Sequence, residues 1–232
     1  MRPRPHALDL PPNAHPRCGE AEDHCRQRGW WPLLGTDEAG RGPLAGPVAA
    51  AAVILNDDAD LPGLDDSKVL TPRQRLALEP LIRAQALAAA VVFADVAQIA
   101  ARNILGASLW AMARAVTQVA AQLDPGERQP LVLVDGHMPI PGLTLRQKTL
   151  VQGDRRSRAI AAASILAKNA RDAHVIELET RYPGYGFAVH KGYPTPQHLA
   201  ELQRLGPCPA HRATFAPVAA LLGRSGAQQT WI

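Results

Sequence analysis

Four carboxylates stand where a sheet protein places its chemistry. Asp37 and Glu38 close the apolar run Pro32-Leu33-Leu34-Gly35-Thr36, Asp135 closes Leu131-Val132-Leu133-Val134, and Asp154 follows Gly153 at the head of a helical stretch. Each has a plainer reading taken alone: Asp135-Gly136 is a common turn pair, Asp154 can cap its helix, and Asp37-Glu38 can be a solvated strand end. At the ends of successive elements, however, they can converge on one sheet edge, where open α/β sheets bind their ligands. Carboxylates gathered in this way raise each other's pKa unless cations neutralise them, and all-oxygen donor sets select hard ions such as Mg²⁺ or Mn²⁺. A pair of such ions can activate water and stabilise the leaving oxygen of a phosphodiester, so the chemistry suggested is metal-dependent phosphoryl hydrolysis. There is no Gly-x-Ser-x-Gly elbow. Glycines 40, 42 and 46 lack the Lys-Ser/Thr of a nucleotide-binding phosphate loop.

The elements that must position these acids follow from the pattern. Residues 32–36 and Val48 to Leu55 read as strands joined by the glycine-rich turn from Gly40 to Gly46, and Thr71-Pro72 opens a helix over about 72–87. A strand follows over 88–94, then a helix from about Asn103 to Leu123, ended by Asp124-Pro125-Gly126. Leu131 to Val134 is a short buried strand, Leu143 to Val151 another, and the alanine-rich stretch from about Arg155 to Thr180 is the strongest helix. Two short helices, about 196–205 and 211–223, come last. Strands followed by helices, after an early run of strands, predict an α/β fold with a mixed sheet.

Residues 1–30 carry five prolines, scattered charge and no apolar period, and are expected to be a flexible N-terminal extension, with the fold starting near Trp31. With 47% hydrophobic and 20% charged residues, the 232-residue chain can bury a full core for one main domain. The uncharged stretch between Gly42 and Asp57 is too short, and too broken by Gly and Pro, to span a bilayer, so no membrane association is expected. The Met-Arg-Pro-Arg-Pro start has no apolar segment of the secretory kind, which places the protein in the cytoplasm. Three cysteines cannot make an even disulfide set, and Cys18, His24 and Cys25 lack the spacing of a structural zinc site. A net charge of +4 favours a polyanionic partner without demanding one. Of the 25 basic residues only Lys68, Lys148, Lys168 and Lys191 are lysine, which hints at positions that want a compact ammonium.

Thr36-Asp37-Glu38-Ala39-Gly40-Arg41-Gly42-Pro43-Leu44-Ala45-Gly46-Pro47-Val48 resembles the opening signature of ribonuclease HII. The resemblance continues in order through Leu64-Asp65-Asp66-Ser67-Lys68, Asn103-Ile104-Leu105, Val134-Asp135-Gly136, Gly153-Asp154, Ile160 to Lys168, Arg171-Asp172, Tyr185-Gly186-Phe187 and His190-Lys191-Gly192-Tyr193-Pro194-Thr195. It covers about residues 33–222. It implies a ribonuclease H-like catalytic domain over 31–224, in which a helical appendage from about 183 helps to grip a duplex, and a C-terminal tail over 225–232. It further implies that Asp37, Glu38, Asp135 and Asp154 are catalytic ligands of two Mn²⁺ or Mg²⁺ ions. The substrates would be RNA–DNA hybrids and ribonucleotides embedded in duplex DNA, cut 5′ of the ribonucleotide to leave 5′-phosphate and 3′-hydroxyl ends.

By the same resemblance Gly40, Arg41 and Gly42 would contact the ribonucleotide and its phosphates, and Tyr193 would pack against the sugar that follows. Lys68 and Lys191 are candidate phosphate contacts. Ser164, Lys168 and Asp172 share one helix face; Ser164 and Lys168 are candidates at the substrate, and the plainer reading is a hydrogen-bond set holding helix to sheet. His137 stands where the family usually has Asn, and Gln152 where it commonly has Lys, and neither change removes a proposed ligand. A monomer is implied, and the tail Ala227-Gln228-Gln229-Thr230-Trp231-Ile232 could offer a weak contact to a sliding clamp. A resolvase or integrase of the same fold would share the acids but lack the Gly-Arg-Gly and His-Lys-Gly-Tyr segments. A catalytically silent duplex-binding module would have little reason to keep all four acids.

Overall fold

Strands β1 (Leu33–Ala39), β2 (Val48–Leu55), β3 (Ala86–Ala94), β4 (Leu131–Asp135) and β5 (Gln147–Leu150) form one sheet in the order β3-β2-β1-β4-β5. The structure is a computed structural model and describes residues 6–10, 16–124, 126 and 128–223. β2 runs antiparallel to both β1 and β3, whereas β1, β4 and β5 are mutually parallel, so β1 is the strand at which the sheet changes sense. This is the mixed α/β sheet expected from the element order.

Both faces of the sheet are covered, and β2 shows why. All eight of its residues are buried, and the period-two alternation of a strand divides them between two cores. Ala50, Ala52 and Ile54 share a core with Ala111, Met112 and Val116 of α3 (Val96–Ala120). Ala51, Val53 and Leu55 share the other with Ala163 and Leu166 of α5 (Arg158–Arg181) and with Leu78 and Ile82 of α2 (Pro72–Gln85). The helix over β1 comes closest at Gly35, where an added Cβ would lie 2.2 Å from the carbonyl carbon of Ala159.

Several boundaries differ from the sequence reading, each for a local reason. The third helix begins at Val96, capped by Asp95, and Asn103 interrupts it in a non-helical conformation (φ 56°, ψ 172°). The side chain of Asn103 accepts from the Gly106 N–H at 3.0 Å, so the start signal at Asn103 is a real cap inside a longer element. The strand expected over 143–151 shortens to β5, because Gln147 bonds both backbone groups of Ile140 and holds the preceding residues in a loop. The alanine-rich helix is divided at Ser157 into α4 (Gly153–Arg156) and α5. The helix expected over 211–223 is reduced to Ala216–Leu221, since His211 and Arg212 are loop residues engaged elsewhere.

The expectation of an unfolded N-terminal extension is corrected for its described part. Helix α1 (Glu20–Gln27) buries Ala21 and Cys25 in a core with Leu33, Leu133 and Ile160, and Thr149 at the β5 edge accepts from Leu8 N–H and donates to the His6 carbonyl. Two buried apolar positions in eight residues are too thin a stripe to be read as a periodic pattern. At the other end α6 (Phe187–His190), α7 (Pro196–Leu205) and α8 (Ala216–Leu221) are joined to the main body, because Leu202, Phe215 and Val218 belong to the core beneath α3. Among the described residues no helix is long and apolar enough to cross a membrane.

Candidate active site

The register of the parallel pair decides where the acids meet. Thr36 lies opposite Val134, so Asp37 and Asp135 follow side by side at the tips of β1 and β4. Leu33 and Leu133 pack toward Ile160 of α5 and Leu34, Val132 and Val134 toward α3, so the same alternation sends Asp37 and Asp135 to the α5 face and Glu38 to the other. Asp37 is only 4% exposed; it accepts from the Glu38 N–H at 2.7 Å and is hydrogen-bonded by Ser164 of α5. Asp135 accepts from the Gly153 N–H at 2.8 Å, which ties α4, and with it Asp154, to the end of β4. A cleft of about 190 Å³ opens beside these tips, lined by Glu38, Arg41, Ser108, Met112, Asp135 and His137.

Crowding without neutralisation shows in the charges. Burial, then the charges of Asp135 and Glu38, hold the Asp37 carboxyl well above the usual range, and burial followed by Glu38 raises Asp135. Asp154 is pushed up to about 6, chiefly by burial and then by Asp135. The Lys68 ammonium lies 3.3 Å from Asp154 Oδ2; burial works against its charge, but Asp154, Asp37 and Asp66 together raise its pKa. Among the described residues no group of three or more His, Cys, Asp or Glu side chains is placed to hold a metal ion without rearrangement. The donor set is hard, buried and short of positive charge, which fits divalent cations. Cys18 and Cys25 are free thiols raised to about 12 and about 11, first by burial.

Beside the acids, the loop from Gly40 to Gly46 is held from beneath by a residue that sequence reasoning missed. Arg212, 1% exposed, donates to the carbonyls of Gly46 (2.9 Å), Arg41 (2.9 Å), Gly40 (2.6 Å) and Pro47 (3.1 Å), and its guanidinium lies over the ring of Phe215. Gly42 faces the Tyr193 ring, since a Cβ built on it would meet that ring at 3.6 Å. Arg171 and Lys168 lie against the same ring, at 5.6 and 5.9 Å from its centroid.

The backbone at Tyr193 is set by a chain of histidines whose tautomers follow from their partners. Cys208 N–H points at His211 Nδ1 (3.0 Å), so His211 Nε2 carries the proton and donates to His198 Nε2 (3.1 Å). His198 Nδ1 then donates to the Tyr193 carbonyl (2.9 Å). Gly192 N–H points likewise at His190 Nδ1 (3.1 Å), leaving Nε2 to donate to the Tyr185 carbonyl. The His198 and His211 rings are neutral in this arrangement, because a proton added to either would set one N–H against another. His198 and His211 are lowered to about 4, first by burial. Their pKa values lie below the free value of 6.5, so the stabilisation is complete above pH 6.5 and is lost as pH falls through about 4. Histidine NMR spectra are expected to show these tautomers at neutral pH with no titration of either ring until below about pH 5. Protonation of either ring near pH 6.5 would contradict the chain.

Residues 34–218 match the family model of Ribonuclease HII. The chain belongs to the ribonuclease HII family. Ribonuclease HII of Syntrophotalea carbinolica is 50% identical over 197 residues, spanning 85% of this chain and 91% of that one. Among solved structures, RNase HII of Archaeoglobus fulgidus in its complex with PCNA superposes with a TM-score of 0.66 at 25% identity, covering 84% of this chain and 98% of that one. Bst-RNase HIII in complex with Mn²⁺ shares the fold, with a TM-score of 0.69 at 18% identity over 86% of this chain and 71% of that one. The protein is therefore a metal-dependent endoribonuclease of the type 2 ribonuclease H kind with a ribonuclease H-like fold.

The structure separates the remaining candidate residues into those facing the cleft and those beneath it. Arg41 is half-exposed and lies 3.4 Å from Glu38, and the exposed side chain of Lys68 reaches Asp154. Ser164 bonds Ser67 Oγ at 2.6 Å as well as Asp37, while Lys168 pairs with Asp172 at 2.8 Å, so both act from within the protein. Lys191 turns its ammonium back on the Ala188 carbonyl at the far end of the Tyr193 turn. Asp66, whose own role sequence reasoning missed, is buried, accepts from the Lys68 N–H and pairs with Arg155; burial works to raise its carboxyl, but these partners and Asp154 bring it below the usual range. It holds the Lys68 segment against Asp154.

Proposed function

We propose that Asp37, Glu38, Asp135 and Asp154 hold divalent ions, Mg²⁺ or Mn²⁺, and that the chain cuts RNA–DNA hybrids and single ribonucleotides in duplex DNA on the 5′ side of the ribonucleotide. What supports this reading is that Asp37 and Asp135 stand side by side at the tips of β1 and β4, that Asp135 holds the Gly153 N–H next to Asp154, and that Glu38 and Arg41 line the same cleft as Asp135. When bound, divalent ions supply the charge that activates water and stabilises the leaving 3′-oxygen. The residues of the chain do the rest. Asp37, fixed by Ser164 and the Glu38 N–H, presents a carboxylate whose direction is set before the substrate arrives. Arg41, Lys68 and Lys191 meet phosphates, which position the duplex without reading its sequence.

Discrimination rests on the 2′-hydroxyl. The backbone of Gly40-Arg41-Gly42, stiffened by Arg212, would approach the ribose, and Tyr193 would stack on the next sugar, with Ser164 and Lys168 supporting both groups from below. The two glycines are expected to differ. Gly40 has φ +98° and an added Cβ would lie 2.7 Å from Arg171 Nε, so Gly40→Ala should cost about 1–3 kcal/mol of stability. Gly42 has room for a methyl, so Gly42→Ala should stay within about 0.5 kcal/mol of the parent in urea unfolding yet cut single ribonucleotides poorly. Wild-type cleavage by a stable Gly42→Ala protein would remove the loop from substrate reading.

The catalytic unit would span 31–224, act as a monomer in the cytoplasm, and serve ribonucleotide removal and RNA primer processing. The PCNA complex of the Archaeoglobus relative supports a weak sliding-clamp contact, for which the candidate segment is Ala227 to Ile232, outside the described residues. The test is an end-labelled DNA duplex with one ribonucleotide, incubated with Mg²⁺, Mn²⁺ or chelator. Cutting 5′ of the ribonucleotide to give 5′-phosphate and 3′-hydroxyl ends, only with metal, is expected. Binding without cutting would favour the silent module, and cutting of an all-DNA four-way junction would favour a resolvase.

A further inference from the structure

We propose that Glu22, on the N-terminal helix α1, is a positioning residue that sets the place of Asp154; this rests on the reading of Asp154 as an ion ligand. The segment carrying Glu22 precedes the residues matched by the family model, which begin at 34, and the proposed chemistry gives it no role. It nevertheless docks directly behind the acidic site at two points.

One point is the sheet edge. The His6 carbonyl accepts from Thr149 N–H at 2.7 Å and Leu8 N–H donates to the Thr149 carbonyl at 2.9 Å. The next residue of β5, Leu150, is the register partner of Asp135. The other point is the joint between α4 and α5. Gly19 N–H donates to the Arg156 carbonyl, Glu20 pairs with Arg156, and Ala21 and Cys25 are fully buried against the core that holds Ile160.

Glu22 is the centre of this second contact. It is 7% exposed, and its Oε1 accepts from Ser157 Oγ at 2.7 Å and from Ala159 N–H at 3.1 Å, while Oε2 is buried with no hydrogen-bond partner. Ser157 is the hinge residue. Its N–H closes the α4 turn on the Gly153 carbonyl at 2.7 Å, and its hydroxyl caps α5 through Ile160 N–H. Asp154 sits inside that turn. Glu22 therefore does for α5 what a local cap does for most helices, taking up a free N–H and placing negative charge at the positive helix end. It does so from 135 residues away, which ties the hinge to the folded extension. With Glu22 removed, the Ser157 hydroxyl and the Ala159 N–H lose their acceptor, and Ser157 keeps only its bonds to Gly153 and Ile160.

The test measures Mn²⁺ binding to the full chain without substrate, by the loss of the free-ion electron paramagnetic resonance signal, beside single-turnover cleavage. Glu22→Ala is expected to raise the Mn²⁺ concentration for half-saturation about tenfold or more. It should slow cleavage at limiting Mn²⁺ while changing KM for the duplex less than about twofold. Glu22→Gln keeps an acceptor oxygen for both bonds and should return half-saturation to within about threefold of the parent. Should Glu22→Ala fail to fold, Ser157→Ala breaks the same link from the other side and is expected to reproduce the shift. Asp154→Asn separates the two ideas. If it shifts Mn²⁺ binding and the folded Glu22→Ala or Ser157→Ala protein does not, the positioning role is overturned alone. If Asp154→Asn leaves binding unchanged, the ligand reading fails and the positioning role falls with it.

Discussion

Asp37→Asn is expected to slow single-turnover cleavage on the order of 10³-fold, the loss that follows when several kcal/mol of ion-borne charge stabilisation is removed. The same substitution should make the metal-free protein more stable. Asp37 is raised by burial and by Asp135 and Glu38, so its folded-state pKa lies above the unfolded value. A carboxylate of that kind opposes folding once the pH exceeds its unfolded pKa, and the opposition grows until the pH passes the folded pKa. An amide at 37 removes it and keeps the shape. In chelator at neutral pH the variant should melt at least about 2 °C higher, the shift that a gain of order 1 kcal/mol gives in a chain of this size. Addition of Mg²⁺ should narrow the gap, because the ion stabilises the parent more. A variant that loses activity and stability together would mean that Asp37 is a structural residue.

Arg212→Ala is expected to cost about 4 kcal/mol, or roughly 10 °C in Tm, because buried acceptors left without a donor carry their full desolvation penalty. Arg212 satisfies four carbonyls, of Gly40, Arg41, Gly46 and Pro47. Burial and the like charge of Arg171 lower its pKa well below the usual value, so this cation is held by geometry against an unfavourable setting. Arg212→Lys should recover only part of the loss, since a compact ammonium has three donors and no planar fork. In folded molecules of either variant the cleavage defect should be larger for single ribonucleotides than for long hybrids, because Arg212 holds the loop proposed to read the 2′-hydroxyl. Urea unfolding and paired cleavage assays check both. A Tm within about 2 °C of the parent would show that the loop holds without the clamp.

The acids and the sheet were legible for one reason: both are local patterns. An apolar run of strand length that stops on Asp37-Glu38 or on Asp135 announces a strand tip, and the antiparallel and parallel pairings follow from the connections. That Asp37 and Asp135 become neighbours needed only that β1 and β4 pair in parallel, as they do. The residues that sequence reasoning missed are those whose meaning lies in a distant partner. Arg212 is one arginine among 21 until it is seen beneath the carbonyls of residues 40–47. Glu22 looks like a solvated acid in a charged stretch until Ser157 is placed against it. The early start of α3 had a local signal that was passed over, since Asp95 followed three residues later by Gln98 is a cap pattern and the Asp95 side chain accepts from Gln98 N–H at 2.8 Å. The shortness of α8 had none, because Phe215 is kept extended by its packing in the main core rather than by its own preference.

The central claim is that Asp37, Glu38, Asp135 and Asp154 form one divalent-ion site at the tips of β1 and β4. Anomalous diffraction from crystals soaked in MnCl₂ with a duplex carrying a single ribonucleotide tests it most directly. The expected result is manganese in contact with Asp37 and at least one of the other three acids, close to the phosphate on the 5′ side of the ribonucleotide. Manganese bound away from all four, or a ribonucleotide seated away from Gly42 and Tyr193, would contradict it.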